Sequence, residues 1–307
     1  MRIAVICNTD TLALPAIHYL VQKGYLAGVG VLDRYRKQLQ PLLLSVGVDD
    51  TAIAGFNKEN WVEAKTSWLK RINADVVWVF AFPWKIPASL LSIPSRGFYN
   101  FHFGLFPKYK GADPIFWQLK NAEGGAGFVI HKMTEEIDGG PILLQEKAPI
   151  FPGENYGLYS QRMGLRVAEI LDKVIERGSD SEIVQQSHET PVYFHKPSQA
   201  ERTIDWDLQS ADKIESLVNA CNPRYGGAFT KLRGMEIKIL EVSPADVNDA
   251  PSADTGTIIY ADALYGLIVA CKDLKFLRIT VISMREGYLS GSKLFSIGVK
   301  AGEKFHK

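Results

Sequence analysis

Gly97-Phe98-Tyr99-Asn100-Phe101-His102-Phe103-Gly104-Leu105-Phe106-Pro107-Lys108-Tyr109-Lys110-Gly111 concentrates polar chemistry inside otherwise apolar sequence. From Phe98 to Phe103 aromatic and polar residues alternate, the period-2 pattern of a strand with two faces, which sends Asn100 and His102 to the same side. Gly104, Pro107 and Gly111 then break regular structure, so both polar side chains stand where a strand runs out into a loop. In open α/β sheets that is where ligands bind, outside the carboxyl ends of the strands. Spacing alone leaves a second reading open, in which both are satisfied polar groups of a half-buried strand. A second stretch weighs against it: Met133-Thr134-Glu135-Glu136-Ile137-Asp138-Gly139-Gly140 sets one carboxylate directly before a glycine pair that lets the backbone turn sharply.

Around these stretches the chain reads as alternating strands and helices. Arg2 to Cys7 is a short apolar run followed by Asn8-Thr9-Asp10-Thr11, a buried parallel strand and then helix-start signals, with a helix to about Lys23. Tyr25 to Leu32 and Ala74 to Phe82 are the second and third strands, with a helical stretch from Lys58 to Ile72 between them. This pattern predicts a Rossmann-like, doubly wound, mostly parallel sheet. Its first turn lacks Gly-x-Gly-x-x-Gly, so the phosphate cradle of a nicotinamide or flavin domain is missing. Gly127 to Met133 reads as a strand on which His131 shares a face with Val129 and Met133 and is taken as structural. Ile142 to Leu144 open the next strand. A helical stripe follows from Ser160 to Arg177. Polar, proline-bearing sequence from about Gln185 reads as a linker. Ala200 to Pro223 is expected to be helical after Ile204-Asp205-Trp206, and the recurring short β-rich runs beyond it predict a small barrel. The expected organisation is a catalytic domain over 1–184, a linker over 185–203 and a β-barrel over 204–307.

Asn100-Phe101-His102 with Leu105-Phe106-Pro107 and Gly111, followed by Ile137-Asp138-Gly139 and Ile142-Leu143, resembles the folate-dependent formyltransferases. Ile204-Asp205-Trp206, Asn222-Pro223 and Gly227-Ala228-Phe229 resemble the C-terminal, OB-like domain that some members carry, so the resemblance covers nearly the whole chain. It implies 10-formyltetrahydrofolate as co-substrate, no metal, and Asn100, His102 and Asp138 as the catalytic set. It also implies two walls for the pterin ring, one of Phe82, Trp84, Lys85 and Ile86, the other of Glu135, Glu136 and Ile137. The family's usual Ser after His-x is Gly104 here, which removes a hydroxyl beside the site. Gly104, Lys108 and Lys110, with Arg34 from the basic stretch Asp33 to Gln38, are the expected acceptor contacts.

With 307 residues and 46% apolar composition the chain can bury a full core. Thirty-five Lys and Arg against thirty-four Asp and Glu leave no bulk field to pull it onto nucleic acid or membrane. The N-terminal run is too short for a signal peptide, and no stretch reaches the length of a membrane span. Three scattered cysteines form no metal or redox pair, and the expected compartment is the cytoplasm. Residues 200–307 hold fourteen basic and fourteen acidic side chains, whereas a tRNA grip needs a basic surface. The sequence therefore favours a small amine acceptor, such as a nucleotide-linked amino sugar, with methionyl-tRNA as the alternative. A formyltetrahydrofolate hydrolase would use the same three residues with water as acceptor. That enzyme carries an N-terminal regulatory domain, whereas this chain starts at the first strand. A non-catalytic folate-binding module would not need all three residues.

Overall fold

Five consecutive apolar residues, Ile3–Cys7, form strand β1, and all five are buried, as a strand covered on both faces requires. The computed structural model describes residues 1–122, 125–177, 183–187, 189–248 and 252–307. In chain order β1 leads to α1 (Leu14–Gln22), β2 (Leu26–Leu32), α2 (Asp33–Ser45), β3 (Ile53–Phe56), α3 (Trp61–Ile72), β4 (Val76–Phe80), α4 (Ala88–Leu91) and β5 (Phe98–His102). Next come β6 (Lys110–Gly111), α5 (Pro114–Asn121), β7 (Gly127–Lys132), β8 (Ile142–Lys147), α6 (Tyr156–Glu169), α7 (Leu171–Arg177) and β9 (Tyr193–Phe194). Contacts divide the described chain into two compact units. One comprises Met1–Pro114, Gly125–Pro149 and Ser160–Phe194, the other Ile115–Gly124, Ile150–Tyr159 and His195–Lys307.

The first unit is built on a seven-stranded sheet of order β3-β2-β1-β4-β5-β7-β8. The run from β3 to β5 is parallel, while β7 and β8 are antiparallel. β5 lies between β4, where Asn100 pairs with Val79, and β7, where Asn100 faces His131 and His102 faces Val129. The aromatic residues of the sheet pack on one another: Phe80 stacks on Phe101 at 4.4 Å between ring centroids, and Trp78 tilts against the same ring at 5.2 Å. That packing makes β4 and β5 a rigid platform for what their ends carry.

The C-terminal part of the second unit contains α8 (Ala211–Cys221), capped by the Ser210 side chain, and continues through β10 (Ala228–Leu232) and β11 (Met235–Ala245). β12 (Ile258–Asp262), β13 (Gly266–Ala270), β14 (Phe276–Met284), β15 (Gly287–Ser290), α9 (Gly291–Ser296) and β16 (Phe305–His306) complete it. The antiparallel sheet runs β12-β13-β14-β11-β10-β16, and a bridge between Thr257 and Lys304 draws its two ends together, so it curls into a barrel. Trp206 stacks on Phe305 at 5.5 Å and donates its indole N–H to Thr230 Oγ1 at 3.0 Å, and both rings are buried.

Several elements differ from the sequence reading. β3 is only four residues long, too short to stand out between polar segments. Asp33 to Gln38, a basic stretch that the sequence assigns to no element, is the first half of α2. The expected helix over Ser160 to Arg177 is two, α6 and α7, parted at Ile170. The C-terminal helix, expected after Trp206, starts at Ala211, and Ala200–Arg202 forms a short 3-10 turn. His188 of the expected linker lies outside the described residues.

Candidate active site

The end of β5 brings the polar residues together because parallel strands expose their carboxyl ends on one side of the sheet. His102 is buried beneath Phe106, whose ring centroid is 5.0 Å from its own. Its Nε2 lies 2.6 Å from the Tyr109 carbonyl oxygen. A carbonyl only accepts, so Nε2 carries the hydrogen. Nδ1 is left facing Asp138 Oδ2 at 3.7 Å. Burial of the ring lowers its pKa below the ordinary histidine value, against Asp138 and the Tyr109 carbonyl, which raise it. His102 is thus a neutral base at pH 7, with a carboxylate beside its free nitrogen.

Asp138 is held by its surroundings. Its φ of +52° is left-handed, a conformation that aspartate tolerates better than most residues. Gln186 Nε2 donates to the Asp138 carbonyl at 2.8 Å and to the Gly140 carbonyl at 2.6 Å, clamping the turn. The Gly111 N–H donates to Asp138 Oδ2 at 2.8 Å. Gly111 has φ +92°, and a Cβ there would collide with the Phe194 carbonyl of β9, so only glycine lets this amide approach. Burial alone would raise the carboxyl, but the neighbouring His102 and the Gly111 N–H outweigh it and hold it below the ordinary carboxylate range. Asp138 is therefore an ionised acceptor throughout the working range.

His131, expected to be structural, also belongs to this cluster. It is buried, with Nε2 3.2 Å from Asn100 Nδ2 and 3.4 Å from Asp138 Oδ1. Strand periodicity gave its face. Only the β5–β7 register, which sets it opposite Asn100, reveals its partners.

The other expected residues take varied places. Phe82 and Trp84 follow β4 and pack with Trp61, at centroid distances of 5.3 to 5.7 Å, over the buried side chain of Lys65. Ile86 is buried in the core, while Lys85 is exposed. Glu135, Glu136 and Ile137 are exposed on the turn before Asp138. Lys108 is exposed with its ammonium 5.7 Å from the Tyr109 ring. Lys110, expected to flank the site, is buried between the Phe106 and Tyr193 rings at 5.1 and 5.5 Å. Arg34 stands over Tyr35 on α2, the helix that follows β2, and β2 lies three strands from β5 in the sheet order. Gly104 is buried, and a Cβ there would lie 2.6 Å from both the Tyr109 carbonyl oxygen and Pro114 Cβ. A serine at this position therefore has no room while the backbone keeps its present course.

The arrangement offers an amide donor, a neutral imidazole and an ionised carboxylate at the mouth of an α/β sheet, the equipment for acyl transfer to an amine. Residues 36–175 match the formyl transferase family and residues 196–295 its C-terminal domain. A methionyl-tRNA formyltransferase of Aromatoleum aromaticum is 30% identical over 247 residues, 79% of this chain and 76% of its own. That of Marinobacter nauticus is 31% identical over 306 residues, 97% of this chain and 94% of its own. Among solved structures, HypX from Aquifex aeolicus in complex with tetrahydrofolic acid superposes with a TM-score of 0.70 at 16% identity over 98% of this chain. This chain spans about half of it, 48%. A sugar N-formyltransferase from Shewanella sp FDAARGOS_354 gives a TM-score of 0.61 at 19% identity, over 78% of this chain and 96% of its own. Both likenesses are of fold. Among the described residues no helix is long and apolar enough to cross a membrane. The chain belongs to the folate-dependent formyltransferase family.

Proposed function

We propose that this protein moves the formyl group of 10-formyltetrahydrofolate onto the amine of methionyl-tRNA. One observation carries the acceptor: a methionyl-tRNA formyltransferase is 31% identical over 97% of the chain, along both units. The charge count favours a nucleotide-linked amino sugar, and the relatives outweigh it.

The formyl donor is amide-like, so as the new bond forms from the acceptor nitrogen to the formyl carbon, negative charge grows on the formyl oxygen. Asn100 supplies an N–H to that oxygen, a contribution of roughly 3 kcal/mol for one such donor. Asp138 takes the proton that the attacking amine loses, directly or through water. His102 Nδ1, the unprotonated nitrogen, is the atom that can hold that proton next, because Asp138 beside it stabilises the imidazolium. When the bond from the formyl carbon to N10 breaks, N10 receives a proton in turn, and tetrahydrofolate leaves. Phe82 and Trp84 form the apolar wall for the pterin, with Ile137 exposed on the opposite turn. Every step uses the acceptor's own amine as nucleophile.

A nucleotide-linked amino sugar stays as the second acceptor reading, on the neutral balance of residues 200–307. The reaction itself is tested with Asp138→Asn, which keeps the size of the side chain and removes its charge. Acceptor-dependent release of tetrahydrofolate is expected to fall by at least about a hundredfold while tetrahydrofolate binding stays within about twofold. Turnover close to the parent's would remove Asp138 as proton acceptor.

A further inference from the structure

His131 has no role in the three-residue catalytic set, yet it touches two of its members. Its Nδ1 lies 3.2 Å from the Lys132 carbonyl oxygen. That oxygen only accepts, so the hydrogen of the neutral ring sits on Nδ1 and Nε2 is bare. A bare Nε2 3.2 Å from Asn100 Nδ2 accepts one of the two amide hydrogens. The competing arrangement puts a hydrogen on Nε2, aimed at Asp138 Oδ1 along the longer contact of 3.4 Å. It would turn the Asn100 amide over and leave two lone pairs facing each other at Lys132, or require a doubly protonated ring in a buried position.

We propose that His131 is a positioning residue for formyl transfer: by accepting from Nδ2 it fixes the Asn100 carboxamide so that the second N–H is presented to the formyl oxygen. The inference rests on the formyl-transfer reading of this site. Without the imidazole the amide of Asn100 can rotate by half a turn and present its carbonyl oxygen to the growing negative charge, which repels it. The binding of folate does not depend on that rotation, so the effect falls on kcat rather than on KM.

The test compares His131→Phe, which keeps a ring and loses the acceptor, with His131→Gln, which carries both an acceptor oxygen and a donor nitrogen. His131→Phe is expected to lower kcat by about 10- to 100-fold with the KM for 10-formyltetrahydrofolate within about twofold. His131→Gln is expected to recover most of that loss. Independently, imidazole nitrogen NMR of the parent should show the Nδ1–H form for His131 and the Nε2–H form for His102, assigned by loss of each signal in the matching variant. His131→Leu replaces the Phe variant should that one not fold. The proposal is overturned by a Phe or Leu variant with kcat within about threefold of the parent, by a Gln variant as slow as the Phe variant, or by an Nε2–H form of His131. A parent protein with no acceptor-dependent transfer would sink the reading of the site itself. The nitrogen spectrum needs no substrate and tells that failure apart from this one.

Discussion

Lys65 is fully buried on α3, and among the described residues its Nζ has no hydrogen-bond partner. It lies instead against three rings, 3.7 Å from the Phe82 centroid, 4.8 Å from Trp61 and 5.2 Å from Phe56. Burial lowers its pKa from 10.5 to about 7, because the rings repay only part of the lost hydration of the charge. Between these two values the unfolded chain binds a proton at Lys65 that the folded chain does not, so the contribution of Lys65 to stability rises as the pH goes from about 7 to 10.5 and is flat below. Lys65→Met, of similar length and without charge, is expected to stabilise the protein at pH 7 by on the order of 3 kcal/mol and to flatten that rise. Urea unfolding of parent and variant at pH 7 and pH 9.5 checks both, and a less stable variant at pH 7 would count against it. This amine was not legible in the sequence. A lysine at a helical spacing reads as solvated, and only the fold of the Phe82 and Trp84 loop shows what covers it. Asn100 and His102 were legible, since a polar pair that alternates with aromatics and runs into a loop broken by glycine and proline marks the carboxyl end of a strand.

The turn before β8 is the element on which the site depends most. It is positioned by a side chain from sequence that reads as linker: Gln186 donates to the carbonyls of Asp138 and Gly140. Gln186→Ala leaves both carbonyls without this donor, at a local cost of about 1–3 kcal/mol. It is expected to lower kcat/KM by about tenfold and to speed amide exchange through 137–140 while the global unfolding transition moves little. Unchanged kcat/KM would show that Gly111 and His102 hold Asp138 in place by themselves. Strands β1, β2 and β4 were readable as unbroken apolar runs because a parallel sheet buries both faces. β3 was not, being four residues with two of them half-buried. α2 was missed for the same local reason, since its first turn is charged and its apolar positions, Leu39 and Leu43, come late. His131 sits on a strand that was predicted, but its contact with Asn100 is a matter of pairing register, which period-2 alternation does not specify.

At the scale of the whole chain, two units of different architecture each match a part of the same family, a doubly wound sheet over the first part and a curled antiparallel sheet over the last. Both were readable in outline, the first from alternating strands and helices, the second from short β-rich runs at close spacing. The choice of acceptor was not, because it turns on how a surface of no net charge presents its cations. Thirty-five basic against thirty-four acidic residues give no overall attraction to nucleic acid, so any tRNA contact must be local. The deciding experiment supplies 10-formyltetrahydrofolate with methionyl initiator tRNA and, in parallel, with a panel of nucleotide-linked amino sugars, and follows tetrahydrofolate release. Turnover with the tRNA, with little or none on the sugars, is the predicted result. Turnover on an amino sugar with none on the tRNA would contradict it and return the acceptor to the smaller amine.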